Sequence, residues 1–242
     1  MNTLKLKAFS MLTATALLLS CNDEDGFRPC LRGNGDLISE TRALADFDKV
    51  DYQIEGEIEI RKGSIHEIRI EGNSNQVEHL KTRVSNGRLK IYSERCLKSS
   101  DFTFVVYTPE LEEVKLSGSG DALVVDDFSS GEMTFDVSGS GKITASSESA
   151  LKVKVKISGS GELNLEGACQ TFDAQVSGSG KVHAYGLVCN TLNAGISGSG
   201  NIEAFVSNTL NANISGSGTI RYKGTAVINS NISGSGKVIK VQ

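Results

Sequence analysis

The chain has 242 residues, a formal charge of −4 and a mean hydropathy of −0.15. With 29 acidic against 25 basic residues it lacks the basic footprint of a nucleic-acid-binding protein, and no basic cluster hides within it. It is long enough to bury one sizeable core.

Residues 1–20 read as an export signal. Lys5 and Lys7 give a positive start, and the apolar run from Ala8 to Leu19 is too short to span a bilayer. No later stretch approaches the roughly eighteen apolar residues of a membrane helix. The segment closes on Leu18-Leu19-Ser20-Cys21, which resembles a bacterial lipobox, where the cysteine becomes the acylated first residue of the mature chain. Cys21 is therefore expected to carry lipid and to anchor the chain to a membrane without spanning it. An ordinary signal peptide cut elsewhere is the alternative. The following Asn22-Asp23-Glu24-Asp25 resembles the acidic export signal of surface lipoproteins in Bacteroidetes-type bacteria, or is a solvated spacer. The expected address is the outer membrane, exposed at the cell surface, with periplasm-facing display as the alternative. Loss of residues 1–20 removes two lysines and no acid, taking the formal charge from −4 to −6. Residues 21–36, with Pro29, Gly33 and Gly35, read as an acidic tether.

Residues 37–115 alternate apolar and polar residues in short runs, as in Ile54-Glu55-Gly56-Glu57-Ile58-Glu59-Ile60 and Ile65-His66-Glu67-Ile68-Arg69-Ile70. A two-residue period is strand spacing with one face buried. Asn86-Gly87 marks a hairpin turn. This part reads as degenerate starting rungs and a cap, or as a small sheet of its own.

Residues 116–242 are governed by Ser-Gly-Ser-Gly, which begins at Ser117, Ser138, Ser158, Ser177, Ser197, Ser215 and Ser233. The steps are 21, 20, 19, 20, 18 and 18 residues, and a fixed period near twenty signals a stacked-repeat architecture. Apolar residues recur in phase on both sides of each copy: Leu116, Val137, Ile157, Val176, Ile196, Ile214 and Ile232 stand just before it. The pattern predicts an all-β, single-stranded parallel β-helix, or solenoid, with 18–21 residues per rung. Each rung is strand, corner, strand and a looser return. Both glycines fall on the inner parity, where a Cβ would not fit or φ would be positive. The outward serines are expected to stack into hydroxyl ladders. Stacking also explains two columns of alternating charge, Asp121/Lys142/Glu162/Lys181 and Lys115/Asp136/Lys156, since direct neighbours of opposite sign attract.

The search for chemistry yields little. Cys169 and Cys189 each stand eight residues before a tetrapeptide, hence in one column on consecutive rungs, where they form a disulfide or stack as buried thiols. Cys30 and Cys96 remain as a second pair that could staple tether to cap. His66, His79 and His183 are scattered, there is no Cys-x-x-Cys or His-x-x-x-His, and no metal or cofactor is expected. Gly-Ser-Gly lacks the spacing and helix of a nucleophile elbow, and no catalytic residue can be assigned. The last rungs carry an asparagine-rich face of Asn193, Asn211, Asn213, Asn229 and Asn231. It is either a ladder that bonds along the stack or a face for a glycan or protein partner. Tyr185, Phe205 and Tyr222 are the few aromatic candidates for stacking on sugar. At the end of the repeat, Val238, Ile239 and Val241 suggest an open edge where chains could self-associate, guarded by Lys237 and Lys240.

Val/Ile-Ser-Gly-Ser-Gly-x-Ile/Val, repeated after a β-rich lead that ends Pro109-Glu110-Leu111, resembles the head GIN-domain family of adhesin-like lipoproteins of Bacteroidetes. Leu44-Ala45-Asp46-Phe47-Asp48-Lys49-Val50 looks like its opening. The resemblance implies a right-handed β-helix and carries no catalytic residue to transfer. The expectation is a lipid-anchored envelope scaffold or adhesin-like binding protein without catalysis. A glycan-binding module and a polysaccharide-cleaving enzyme are the alternatives.

Overall fold

A computed structural model describes residues 29–98, 102–128 and 131–242. In chain order β1 (Leu31–Arg32), β2 (Leu37–Ala43), β3 (Lys49–Tyr52), β4 (Glu57–Lys62) and β5 (Glu67–Asn73) precede one helical turn, α1 (Ser74–Val77). Then come β6 (Leu80–Ser85), β7 (Arg88–Ser93), β8 (Leu97–Lys98) and β9 (Thr103–Thr108). The regular part begins with β10 (Glu113–Gly118), β11 (Asp121–Val124), β12 (Glu132–Gly139), β13 (Lys142–Gly159) and β14 (Glu162–Gly178). It continues with β15 (Lys181–Gly198), β16 (Asn201–Gly216), β17 (Thr219–Lys223), β18 (Val227–Gly234) and β19 (Lys237–Lys240).

These strands coil into a parallel β-solenoid. The tetrapeptides stack in register, Gly118 on Gly139, Gly139 on Gly159, Gly159 on Gly178, and so on to Gly216 on Gly234. The strand before each corner builds a leading wall and the strand after it a trailing wall. Their inner columns are closed to solvent. Val137, Ile157, Val176, Ile196 and Ile214 on the leading wall are no more than 3% exposed, as are Ile143, Leu163, Val182, Ile202 and Ile220 on the trailing wall. Each such side chain contributes about 1.5–3 kcal/mol by leaving water. No single rung could bury them, so the stack and its core are one event.

The two glycines of each corner answer two different constraints. Gly178 has φ +112°, and a Cβ there would stand 2.6 Å from the Gly159 carbonyl oxygen of the rung behind. Gly180 has no such backbone need; a Cβ would run into Ile157 Cγ2 of the core. The rung-to-rung bonds at the corner are made by serine amides, such as Ser179 N–H to Gly159 O at 2.8 Å and Ser199 N–H to Gly178 O at 2.9 Å. The return segment is less loose than its sequence suggests. β13 runs unbroken from Lys142 to Gly159 and absorbs the return in a bulge between Ser147 and Ala150. Gly167, with φ +112°, makes a further bend against the Ser147 carbonyl.

Apart from β8, the strands of residues 37–115 belong to the same hydrogen-bonded sheet. β3 and β4 pair in parallel with β10 and β11, and on their other side with β7 and β9. The rung made by residues 49–62 therefore lies between 88–108 and 113–124, out of chain order. Beyond it the pairing turns antiparallel, β5 with β9, β2 with β5 and β6 with β7. The β6–β7 turn is Asn86-Gly87, with φ 52° and 70°. Under these strands α1 buries Val77, and Leu80 and Phe102 close the end of the core.

The sequence places a tether at 21–36, but its described part is fastened. Cys30 is bonded to Cys96 with S–S 2.02 Å, and β1 pairs with β8. Gln76 donates to Leu31 O at 2.9 Å and Asn73 accepts from Gly35 N at 2.8 Å. Residues 30–36 are part of the cap because a disulfide and side-chain amides replace the apolar contacts they lack. At the other end β18 and β19 form the outermost rung, leaving Val227, Ile228, Ile232 and Ile239 exposed. There Ser230 stacks on Ala212 and Lys240 on Tyr222, so two inner columns turn polar on the last rung while Ile228, Ile232 and Val238 continue the others. Inward polar and charged residues are a known brake on edge pairing.

Candidate functional site

The asparagine-rich face resolves into two columns on the leading wall with opposite properties. In the first, Asp173, Asn193, Asn211 and Asn229 are in register. Asn193 Nδ2 donates to Asp173 Oδ1 at 2.7 Å, Asn211 Nδ2 to Asn193 Oδ1 at 2.9 Å, and Asn229 Nδ2 to Asn211 Oδ1 at 3.0 Å. Lys152 closes the ladder on Asp173 at 2.5 Å. Burial by itself would raise the Asp173 pKa, but the hydrogen bonds from Lys152 and Asn193 outweigh it and hold the carboxyl below its ordinary value. Each amide of this column is thus tied to the rung before it.

The second column lies two residues further along each strand and reads Lys115, Asp136, Lys156, Gln175, Gly195, Asn213, Asn231. It extends into the early rungs, where Asp51 is flanked by Lys90 and Lys115. Charges therefore alternate along five positions, and then the column becomes neutral. Gly195 interrupts it: Gln175 and Asn213 are two rungs apart, their backbones about 9.6 Å from each other, and their side chains make no hydrogen bond. The Gln175 side chain folds across the gap, its amide in the space a Cβ on Gly195 would need. Among the described residues nothing accepts from or donates to the side-chain amides of Asn213 and Asn231, both exposed.

Between this column and the first serine of each tetrapeptide runs a groove of about 460 Å³. It reaches from Lys156 and Ser158 to Asn231 and Ser233, five rungs, and so is roughly 19 Å long. Ile157, Val176, Ile196 and Ile214 contribute only their backbone to its floor, because their side chains point into the core. The register that aligns these residues and the gap at Gly195 were legible in the repeat; the way Gln175 crosses that gap was not.

The aromatic candidates separate. Tyr222 is 4% exposed and belongs to the core, which removes it from any surface role. Tyr185 and Phe205 are half-buried on the trailing wall, and Lys223 Nζ lies 5.1 Å from the Tyr185 ring. Beside them His183 Nδ1 meets Glu203 Oε2 at 2.8 Å and Arg221 reaches Asn201 Oδ1 at 3.5 Å. These groups satisfy one another. Lys142 likewise lies between Asp121 and Glu162: its backbone N–H donates to Asp121 Oδ1 at 3.2 Å and its ammonium makes a 3.8 Å ion pair with Glu162.

Cys169 and Cys189 are register partners and stand as buried free thiols. The Cys189 thiol is 3.2 Å from Phe205 O, and its contact with Cys169, together with burial, pushes its pKa up. A thiol so held is not a nucleophile. Near the cap, His66 Nδ1 is 3.3 Å from Thr108 Oγ1 and its Nε2 is 3.5 Å from Asp46 Oδ1. The line-up of hydroxyl, imidazole and carboxylate is not a catalytic triad. Thr108 is sealed from solvent and its hydroxyl is committed to Phe47 O at 3.0 Å and Glu110 O at 2.8 Å. Among the described residues no three His, Cys, Asp or Glu side chains converge as metal ligands, and no helix is long and apolar enough to cross a membrane. Cys21 and the export signal lie outside the described residues.

A stack of glycine-cornered rungs with a polar outer wall defines the class: this is a parallel β-solenoid. The chain belongs to the family described as "Putative auto-transporter adhesin, head GIN domain", whose model matches residues 46–226. No curated protein matches it. Among solved structures it is similar to an adhesin-like protein of Bacteroides fragilis, with TM-score 0.79 and 22% identity over 87% of this chain and 100% of that one. It is also similar to a Parabacteroides distasonis protein described as a putative lipid binding protein, with TM-score 0.77 and 23% identity over 88% of this chain and 100% of that one. At such identities the likeness establishes the fold.

Proposed function

We propose that the mature chain is held to the outer membrane by an acylated Cys21 and displays its solenoid at the cell surface as an adhesin-like binding scaffold. The observation that carries the binding role is the contrast between the two asparagine columns. One is bonded rung to rung along its own ladder, whereas the other has no partner for its amides along a groove. An outward surface built only for stability would close both. The anchor rests on the apolar run that ends at Leu18-Leu19-Ser20-Cys21 and on the acidic residues behind it.

A polysaccharide-cleaving enzyme is disfavoured by the groove's lining, which holds one lysine and no carboxylate. Most glycoside hydrolases place a pair of carboxyl groups across the substrate, and this groove supplies none. Metabolic labelling of cells with an alkyne-tagged fatty acid tests the anchor: the wild-type chain takes up label and Cys21→Ser does not. Protease treatment of intact cells tests display. Complete protection of the chain, with a known surface protein digested in the same sample, would overturn surface exposure and leave the anchor standing.

A further inference from the structure

We propose that the leading-wall groove binds an extended glycan laid along the solenoid axis, across the rungs rather than within one. This rests on the binding role proposed above and gives it a site and a ligand class. The groove offers what a polyhydroxylated chain needs. Side-chain amides of Gln175, Asn213 and Asn231 both donate and accept, and they face a row of serine hydroxyls that do the same. The serine hydroxyls recur once per rung, about 4.8 Å, and the amides flank them on three of the five rungs, so a chain laid along the groove meets polar partners at regular intervals. Gly195 opens a side-chain-free notch midway, where a ring can approach the backbone once Gln175 swings aside. Lys156 supplies a single cation at one end, which fits a neutral or sparsely acidic chain and not a polyanion.

Other occupants fit less well. A peptide strand docks by pairing its backbone with a free sheet edge, and here every strand under the groove except the outermost is paired on both sides. A lipid tail needs apolar side chains, and the isoleucines and valines beneath the groove are turned inward. The neighbouring Asn193 ladder is excluded because its amides already bond each other.

The test uses the purified full chain in detergent against immobilised xylan, β-1,4-glucan, mannan and hyaluronan. Wild type is expected to retain at least one of these. The pair Asn213→Ala/Asn231→Ala removes two amide partners and should weaken binding about tenfold or more. Gly195→Asn fills the notch and completes the amide column, displacing only the flexible end of Gln175, so it should abolish binding while melting at or above the wild-type temperature. Asn193→Ala, outside the groove, should leave affinity within about threefold, less than one lost hydrogen bond. Wild-type binding that survives both groove variants overturns the groove and leaves the binding role intact. Silence across all four polysaccharides overturns the glycan class itself.

Discussion

At each corner a glycine is required twice, once for its φ and once for its missing Cβ. Gly178→Val must place an L side chain at φ +112° and press it on the Gly159 carbonyl. The conformational part alone costs about 1–2 kcal/mol, and the clash adds to it. Ser179 is exposed, and Ser179→Ala should stay within about 0.5 kcal/mol of wild type. Urea midpoints for the two variants measure the difference, and equal midpoints would remove the steric account of the corner. The same resolution distinguishes the asparagines. Asn211→Ala breaks a ladder at both ends, stranding Asn193 Oδ1 and Asn229 Nδ2, and should cost about 1 kcal/mol. Asn213→Ala strands nothing and should be neutral in the same assay. Both the glycine parity and the two asparagine columns could be read from the repeat, because each depends on spacing within one rung. Gly167 could not: its partner is the Ser147 carbonyl, and nothing local in the sequence announces that approach.

Among the elements, the early strands carry a pH-sensitive contact. Arg88 at the start of β7 reaches past β3 to Glu113 at the start of β10 with two hydrogen bonds of 2.8 Å. Those bonds hold the Glu113 carboxyl below its ordinary value against the opposing effect of burial. A carboxyl depressed in the folded chain adds stability above its unfolded pKa of about 4.3, and that stability fades as pH falls through the lower folded value. Glu113→Gln should therefore be less stable than wild type at neutral pH, and the gap should narrow below about pH 4. Urea titrations at several pH values read it directly, and a constant gap would show that the pair is not the cause. The strand content of 37–115 was legible from its alternation, but the interleaving of β3 and β4 was not. Parallel pairing between segments tens of residues apart has no local signature. Its trace was the charge column, since Asp51 sits between Lys90 and Lys115 just as Asp136 sits between Lys115 and Lys156.

For the whole molecule, one sheet wraps one core from the antiparallel cap to the last rung, so each rung is stabilised chiefly by its two neighbours. Such a body is stiff along its length and carries its outer columns at fixed spacing, which suits a surface that meets a long, periodic partner. The early windings carry a further consequence. Residues 49–62 end up sandwiched between segments that leave the ribosome after them. A nascent chain cannot coil turn by turn from its front. β3 and β4 gain parallel partners on one side only once β7 and β9 have been made, and on the other only once β10 and β11 follow. From there each new length of chain needs only to zip onto a finished edge, so the slow event of assembly is confined to the beginning.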